Sequence, residues 1–228
     1  KAHQWIPILP GTDGALALGM ARWIIENKRY DERYLLNPNK EAAKADGEPT
    51  WSDATFLINL SDPKKPRLKA KVLGIGEEEN VVMEKGKLVR ADKAEEGTLE
   101  VDMVIDGIHV KSAFTLFKER CFERTLAEYA EICGVSEKKI IQLAKDFSSY
   151  GKKASIISYR GPAMHTNGFY AVRAIACLNH LLGNYDWKGG AISSGAKYDP
   201  LNGLYDLLAV PAERKAWGTT IFRRGAYE

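Results

Sequence analysis

The sequence lacks the residue patterns of the commonest self-contained sites. Its 228 residues include only three cysteines and four histidines, and CxxC, HxxxH and HxxE spacings are absent. Such a set argues against a disulfide scaffold and against a metal site held by this chain alone. No apolar run approaches the roughly 18 residues of a membrane span, and no signal-peptide pattern is present.

Phosphate-binding and hydrolytic motifs are also missing. GxGxxG and GxxxxGK[ST] do not occur, and the pair Gly74 and Gly76 precedes three glutamates, which would repel a phosphate. We find no nucleophile elbow, no Ser/His/Asp arrangement and no carboxylate pair at helical spacing, so no catalytic residue is assigned. The net charge is only +3, with both signs interleaved, which argues against a general nucleic-acid surface.

What the chain does contain is a repeated order of strand, turn and helix. An apolar run at 5–9 and a Gly turn precede a helical pattern that continues to about Glu26. A second strand is predicted at 154–159, followed by a turn at 160–168, a long helix ending at Gly183, and a third strand at 189–195. This order predicts a single α/β domain over 1–228, in three layers with a mainly parallel, Rossmann-like sheet.

A β-rich insertion is predicted at about 51–118, because the sequence pattern there changes to short β-like runs separated by charged turns. Asp106-Gly107 between two such runs indicates a two-residue hairpin. The other strand candidates are 55–59, 70–73, 80–83, 87–89, 101–105 and 108–110. Helices are predicted to resume at 125–132 and 136–147, with Gly134 at the stop between them.

Three turns follow the carboxyl ends of the predicted strands and would meet at one edge of a parallel sheet. Glycines there would let backbone approach a bulky ligand, and the Asp13 carboxylate can accept two N–H donors, which suits the edge of a guanine. On physics alone, the interpretation that these glycines merely form turns is about equally good. The candidate cofactor-binding residues are Gly11, Thr12, Asp13, Arg160, Gly161, Met164, His165, Ser194 and Gly195.

A helix-turn-helix DNA-binding protein is an alternative from a different class. The two predicted helices on either side of Gly134 have the required order, and the second is basic in part. However, few base-reading side chains lie near its start, and a compact αα-hairpin explains the same residues.

Several blocks in order resemble the molybdopterin oxidoreductase family, which includes dimethyl sulfoxide reductase. The first block is Pro10-Gly11-Thr12-Asp13-Gly14-Ala15-Leu16, in the family's strand-to-helix setting. The helix pair at 132–136, the strand and turn at 154–168, and the block from Leu178 to Gly190 follow in the family's order. The residues of these blocks are most similar to those of the branch that contains tetrathionate reductases. Polysulfide, thiosulfate and arsenate reductases remain alternatives.

The resemblance implies that this chain is the third domain of a larger catalytic subunit. It would hold the guanosine end of one of the two molybdopterin guanine dinucleotides that bind molybdenum, with Asp13 on the guanine edge. The loops at 161–165 and 194–197 would line the cofactor funnel. The first residue is Lys1 and a strand follows almost at once, which agrees with a segment cut from a longer protein.

The same resemblance implies features of the parent protein that this sequence does not carry. These are a 4Fe-4S cluster in an N-terminal part, a membrane anchor subunit, an iron–sulfur electron-transfer subunit, and a location on the outer face of the cytoplasmic membrane or in the periplasm. The molybdenum ligand and a further dinucleotide domain have no counterpart here, so we expect the segment to be inactive alone.

Overall fold

A computed structural model describes residues 5–192, and all structural statements below concern that part of the chain. The element bounds are α1 (Asp13–Glu26), α2 (Glu32–Leu36), α3 (Lys40–Ala45), β1 (Leu57–Asn59), β2 (Val81–Glu84), β3 (Lys87–Arg90), β4 (Asp102–Ile105), β5 (Ile108–Ser112), α4 (Ala113–Phe122), α5 (Leu126–Cys133), α6 (Glu137–Tyr150), α7 (Arg160–Ala163) and α8 (Gly168–Leu182).

Helix α1 is the centre of the main core and packs against α4, α5, α6 and α8. Small residues on α1 allow these close approaches. A Cβ on Gly14 would lie 3.3 Å from Ala171 Cα in α8, and one on Gly19 would lie 3.2 Å from Tyr129 Cβ in α5. Ile24 on the same helix is fully buried. The predicted helices at 13–26, 125–132, 136–147 and 168–182 are thereby confirmed.

Helices α5 and α6 form a compact αα-hairpin against α1. Thr125 and Glu128 form a capping box at the start of α5, and Gly134, with a φ of 71°, ends it. Ile140, Ala144 and Phe147 make the buried stripe of α6. Both helices use their apolar faces within the core, which favours the αα-hairpin interpretation over the DNA-binding one.

The stretch from β1 to β5 is β-rich, as predicted, and has its own small cores. That it is an insertion into the domain stays a prediction. One antiparallel sheet has the order β1-β5-β4, and β2 pairs with β3 in a second. Asp106 and Gly107 join β4 to β5 with φ values of 48° and 80°, as a two-residue hairpin requires. Two details of the prediction are wrong: residues 70–73 form a 3₁₀ turn, and residues 113–118 belong to α4, whose Phe114 and Cys121 are buried in the helical core.

A mixed helix and strand fold is present, but a Rossmann-like parallel sheet is not confirmed. Within residues 5–192 the strands are antiparallel, and parallel pairing is limited to an isolated bridge between Tyr185 and Ala191. The segments 5–9 and 154–159 were predicted to be strands and pair with no strand here. Their hydrogen bonds go to other partners: Leu9 N–H donates to Cys133 O, and Ile156 bonds to the Asn179 side chain.

The described residues include no helix with the length and apolarity to cross a membrane. They also include no cluster of three or more histidine, cysteine or acidic side chains placed to share a metal ion. The extent of the domain over 1–228 stays a prediction, because residues 1–4 and 193–228 lie outside the described part.

Candidate functional site

The turn before α1 and the turn before α8 lie against each other. Gly11 has a φ of 78°, and a Cβ there would lie 3.3 Å from His165 Nδ1. Asn167 Nδ2 donates to Gly11 O at 3.0 Å. Glycine therefore provides both the left-handed backbone and the space for the His165 ring. The structure brings together two of the three predicted turns, through packing of α1 on α8 rather than at a sheet edge.

The amino end of α1 is open at this junction. Thr12 occupies the N-cap position, but its hydroxyl donates backward to Leu9 O at 2.6 Å and caps no N–H of the helix. Among the described residues, the N–H groups of Asp13 and Gly14 have no acceptor. Such groups carry the positive end of the helix dipole and can bind an anion or a polar ligand edge.

Asp13 is the first residue of α1 and is half-buried. Within residues 5–192 its carboxylate makes no hydrogen bond and no ion pair. Because an unsatisfied carboxylate at a partly buried position has both oxygens free, it can accept two parallel N–H donors from a ligand.

The remaining predicted residues make few contacts in the structure or lie outside its described part. Arg160 and Gly161 lie in the short helix α7, with the Arg160 guanidinium 5.6 Å from the Tyr159 ring centroid. A Cβ on Gly161 would meet nothing within 4 Å among the described atoms. Met164 is 78% exposed, and His165 is exposed apart from its contact with Gly11. Ser194 and Gly195 lie outside the described residues, so the third turn stays a prediction.

Three asparagines that the sequence analysis did not select support these turns. Asn167 joins the two turns, and Asn179 and Asn184 hold the extended segment that leads to α7. Asn179 bonds to Ile156 through both its oxygen and its nitrogen, at 3.0 and 2.8 Å. Asn184 Nδ2 donates to Ala154 O and to Asn179 Oδ1. The signal available in the sequence was that Asn179 lies at helical spacing from Ile175 and Leu182, and that Asn184 directly follows the glycine that ends the helix.

A partly buried ionic cluster lies beneath the loop that follows α8. Lys152 Nζ bonds to Glu48 Oε1 and lies 3.1 Å from Asp31 Oδ2, while Trp187 Nε1 donates to Glu48 Oε2 at 3.0 Å. The ammonium also lies 5.4 Å from the ring centroid of Tyr34, whose pKa burial raises to about 12. The cluster holds Trp187 in the loop after α8.

The cysteines are packing residues. Cys121 and Cys133 are buried and Cys177 is half-buried, all as free thiols. Burial raises the pKa of the Cys121 thiol to about 12, so it stays protonated and unreactive near neutral pH.

The arrangement is an open helix amino end beside a half-buried carboxylate at the junction of two turns. The chain is similar to catalytic subunits of molybdopterin-containing reductases over most of its length, and we conclude that it belongs to the molybdopterin oxidoreductase family. No model in a scan of protein families matches it.

Three relatives show how much of the family this chain represents. It is 45% identical to a selenate reductase subunit of Mesobacillus selenatarsenatis, over 86% of this chain and 19% of that protein. It is 38% identical to a tetrathionate reductase subunit of Salmonella typhimurium, over 99% of this chain and 23% of the relative. The corresponding tetrathionate reductase protein of Archaeoglobus fulgidus is 34% identical, over 98% of this chain and 20% of its own length. The chain thus spans about a fifth of these relatives.

Proposed function

We propose that this chain is the part of a molybdenum oxidoreductase catalytic subunit that holds the guanosine end of a molybdopterin guanine dinucleotide. The observation that carries the proposal is the open corner at the start of α1. Within residues 5–192, the Asp13 carboxylate has no partner there and the adjoining backbone N–H groups have no acceptor. The relatives support a molybdenum–pterin cofactor in general.

The residues present fit a guanine nucleotide by their chemistry. A guanine edge carries an N1–H and an exocyclic amino group side by side, and the two oxygens of Asp13 can accept from both. Gly11 keeps the turn narrow, since its φ of 78° excludes most side chains. The open N–H groups of α1 supply positive potential beside the carboxylate, which suits a polar, phosphate-bearing ligand.

The remaining predicted contacts belong to the same proposal. His165 and Thr12 would border the nucleotide, and Arg160, Gly161, Met164, Ser194 and Gly195 would line its path. When bound, molybdenum would supply two-electron chemistry elsewhere in the parent subunit. The residues of this chain bind and orient the distal end of the cofactor, and we assign none of them to the reaction.

For the substrate we propose an oxidised sulfur or selenium compound. Tetrathionate reduction adds two electrons to a sulfur–sulfur bond and releases two thiosulfates. It is supported by two tetrathionate reductase relatives whose alignments cover at least 98% of this chain. Selenate is a second candidate, supported by 45% identity to a protein of a selenate reductase. Arsenate has a relative at 28% identity and is less well supported. Polysulfide and thiosulfate remain candidates by resemblance.

The parent complex is part of the same proposal. An iron–sulfur subunit would deliver electrons to the catalytic one, a membrane anchor would hold the complex, and the parent would carry a 4Fe-4S cluster. Its proposed location is the outer face of the cytoplasmic membrane or the periplasm. The support is that several relatives are named as subunits, which indicates reductases built from more than one chain.

The test uses the full-length parent subunit with its natural partners. Molybdenum and acid-released guanine nucleotide are measured per catalytic chain, and initial rates are recorded with tetrathionate, selenate and arsenate against one reduced dye. Protein from cells grown with tungstate in place of molybdate is the control. We expect both components to be present and the activity to fall in the control. An active preparation without guanine nucleotide would contradict the proposal.

A further inference from the structure

The extended segment 155–159 lies alone between the end of α6 and the start of α7. Among the described residues, its backbone makes hydrogen bonds only at Ile156. Ile157 and Tyr159, on the outward side, are 84% and 78% exposed. An extended segment without a neighbouring strand has no ladder of backbone bonds to hold its position.

Asn179 replaces that ladder with a single side chain. Its Oδ1 accepts from Ile156 N–H at 3.0 Å and its Nδ2 donates to Ile156 O at 2.8 Å. A side-chain amide presents the same donor and acceptor as a peptide group, so this pair of bonds has the form of one rung of a β-ladder. Asn179 is 3% exposed, and a buried amide pair of this kind resists exchange with water.

Asn184 extends the contact to the start of the segment. Its Nδ2 donates to Ala154 O and lies 3.1 Å from Asn179 Oδ1. The two amides therefore hold residues 154–156 against the carboxyl end of α8. Four residues later the chain enters α7, and Asn167 then joins the following turn to Gly11 O.

We propose that Asn179 is a positioning residue for the nucleotide corner: it fixes residues 154–156 and thereby the turn that places His165 against Gly11. The inference rests on the proposed function, because it assigns the purpose of that positioning to nucleotide retention. Asn179 contacts neither Gly11 nor His165. It acts through the backbone that leads from Ile156 to His165.

Asn39 provides a matched control. It also makes three hydrogen bonds, donating to Ala91 O and Ala94 O and accepting from Ala42 N–H. The first two bonds tie the start of α3 to the β-rich insertion and the third caps α3. In the described part of the chain, no direct hydrogen bond links α3 to either of the two turns. Asn39→Leu and Asn179→Leu therefore remove matched sets of side-chain bonds at different places.

The experiment introduces each variant into the full-length parent protein and measures guanine nucleotide per folded chain, together with amide hydrogen exchange. For Asn179→Leu we expect at least a tenfold loss of nucleotide and faster exchange in peptides covering 155–168. For Asn39→Leu we expect nucleotide within twofold of the unmodified protein and faster exchange only near 39–45 and 91–94. Nucleotide within twofold in Asn179→Leu would overturn the inference.

Two further measurements keep the outcomes separable. If Asn179→Leu does not fold, Asn179→Asp retains the acceptor for Ile156 N–H but loses the donor to Ile156 O, and nucleotide should fall at least threefold. Unchanged nucleotide in this variant would likewise reject the positioning role. If the unmodified protein holds no guanine nucleotide, the proposed function fails instead. Hydrogen exchange then decides the positioning role alone, and unchanged exchange at 155–168 in Asn179→Leu rejects it.

Discussion

The helical core around α1 and the β-rich insertion satisfy their extended backbone in opposite ways. In the insertion, strands pair with one another, as in the register of Val82 with Val89 and Met103 with Val110. Around α1, the extended segments at 5–9 and 154–159 pair with no strand. They bond to the Cys133 carbonyl at the end of α5, and to the side chains of Asn179 in α8 and Asn184 just after α8. The extended backbone of the insertion is therefore paired mostly within the insertion, whereas the extended segments around α1 bond to a helix end and to asparagine side chains.

The largest losses of stability are expected from substitutions that create a cavity, one in each region. Ile24 in the helical core and Leu57 in the insertion are both fully buried, and truncation of each to alanine should cost about 4 kcal/mol of unfolding free energy. Hydrogen exchange locates each loss. Ile24→Ala should loosen α1 and lower nucleotide retention, while Leu57→Ala should loosen β1, β4 and β5 alone. Equal loosening of α1 in both variants would show that the regions are one cooperative unit.

One glycine with a left-handed backbone in each region allows a second pair of substitutions to be compared. Gly183 has a φ of 58°, and a Cβ there would overlap the Tyr34 ring. Gly86 in the β2–β3 hairpin has a φ of 79° with open space around it. Thermal unfolding should show a loss of about 3 kcal/mol for Gly183→Ala, from strain and overpacking together, and about 1 kcal/mol for Gly86→Ala, from strain alone. Equal losses would contradict the close packing of α8 against α2.

The ionic cluster at the loop after α8 should contribute less. Lys152→Met leaves Glu48, whose side chain is 8% exposed, without its cation. We expect a loss of about 2 kcal/mol, below the range for a fully buried pair because Lys152 is 22% exposed. Denaturant unfolding of Lys152→Met and Glu48→Gln, alone and combined, measures the coupling. Additive losses would show that the two side chains do not interact.

The smallest expected effect is the acid response of the insertion. Hydrogen bonds from Arg90 lower the pKa of Asp92, bonds from His109 and Lys111 lower that of Asp102, and backbone N–H donors lower that of Glu79. Because these values are lowered on folding, the stabilisation is complete above the ordinary values of 3.8 and 4.5 and is lost as pH falls through the folded values.

Hydrogen exchange between pH 5 and pH 3 checks this response after correction for the intrinsic rate. We expect β2, β3, β4 and β5 to lose protection earlier than α1. Asp102→Asn should remove part of the pH dependence of β4 and β5. A pH dependence that is the same in α1 and in the insertion would be the opposite result.

Features that depend on local sequence were predictable. Helices α1, α5, α6 and α8 follow from apolar periodicity, and the β4–β5 hairpin follows from Asp106-Gly107, because these signals lie within a few residues of the structure they specify. Helices α2, α3 and α4 were missed, since the first two have only five and six residues and α4 directly follows β5.

The predicted parallel sheet depended on partners far apart in the chain, and it is not confirmed. Apolar runs at 5–9 and 154–159 indicated strands, but the run itself does not specify what bonds to its backbone. The turns of Gly11 and His165 were predicted to meet at a sheet edge, but they meet through the packing of α1 on α8. The roles of Asn167 and Asn179 required the three-dimensional structure. The partners of the Asn179–Ile156 bond are 23 residues apart in the sequence, and those of the Asn167–Gly11 bond are 156 residues apart. Such distant partners leave no local sequence pattern.

The most direct test compares two acidic residues that begin helices of equal length. Asp13 begins α1 at the candidate corner, and Glu137 begins α6 on the exposed surface; both helices have 14 residues. In the full-length parent protein, Asp13→Asn and Glu137→Gln are compared for guanine nucleotide content and unfolding temperature. The account predicts at least a tenfold loss of nucleotide in Asp13→Asn, with similar unfolding temperatures for the nucleotide-free forms, and no loss in Glu137→Gln. Unchanged nucleotide in Asp13→Asn would contradict it.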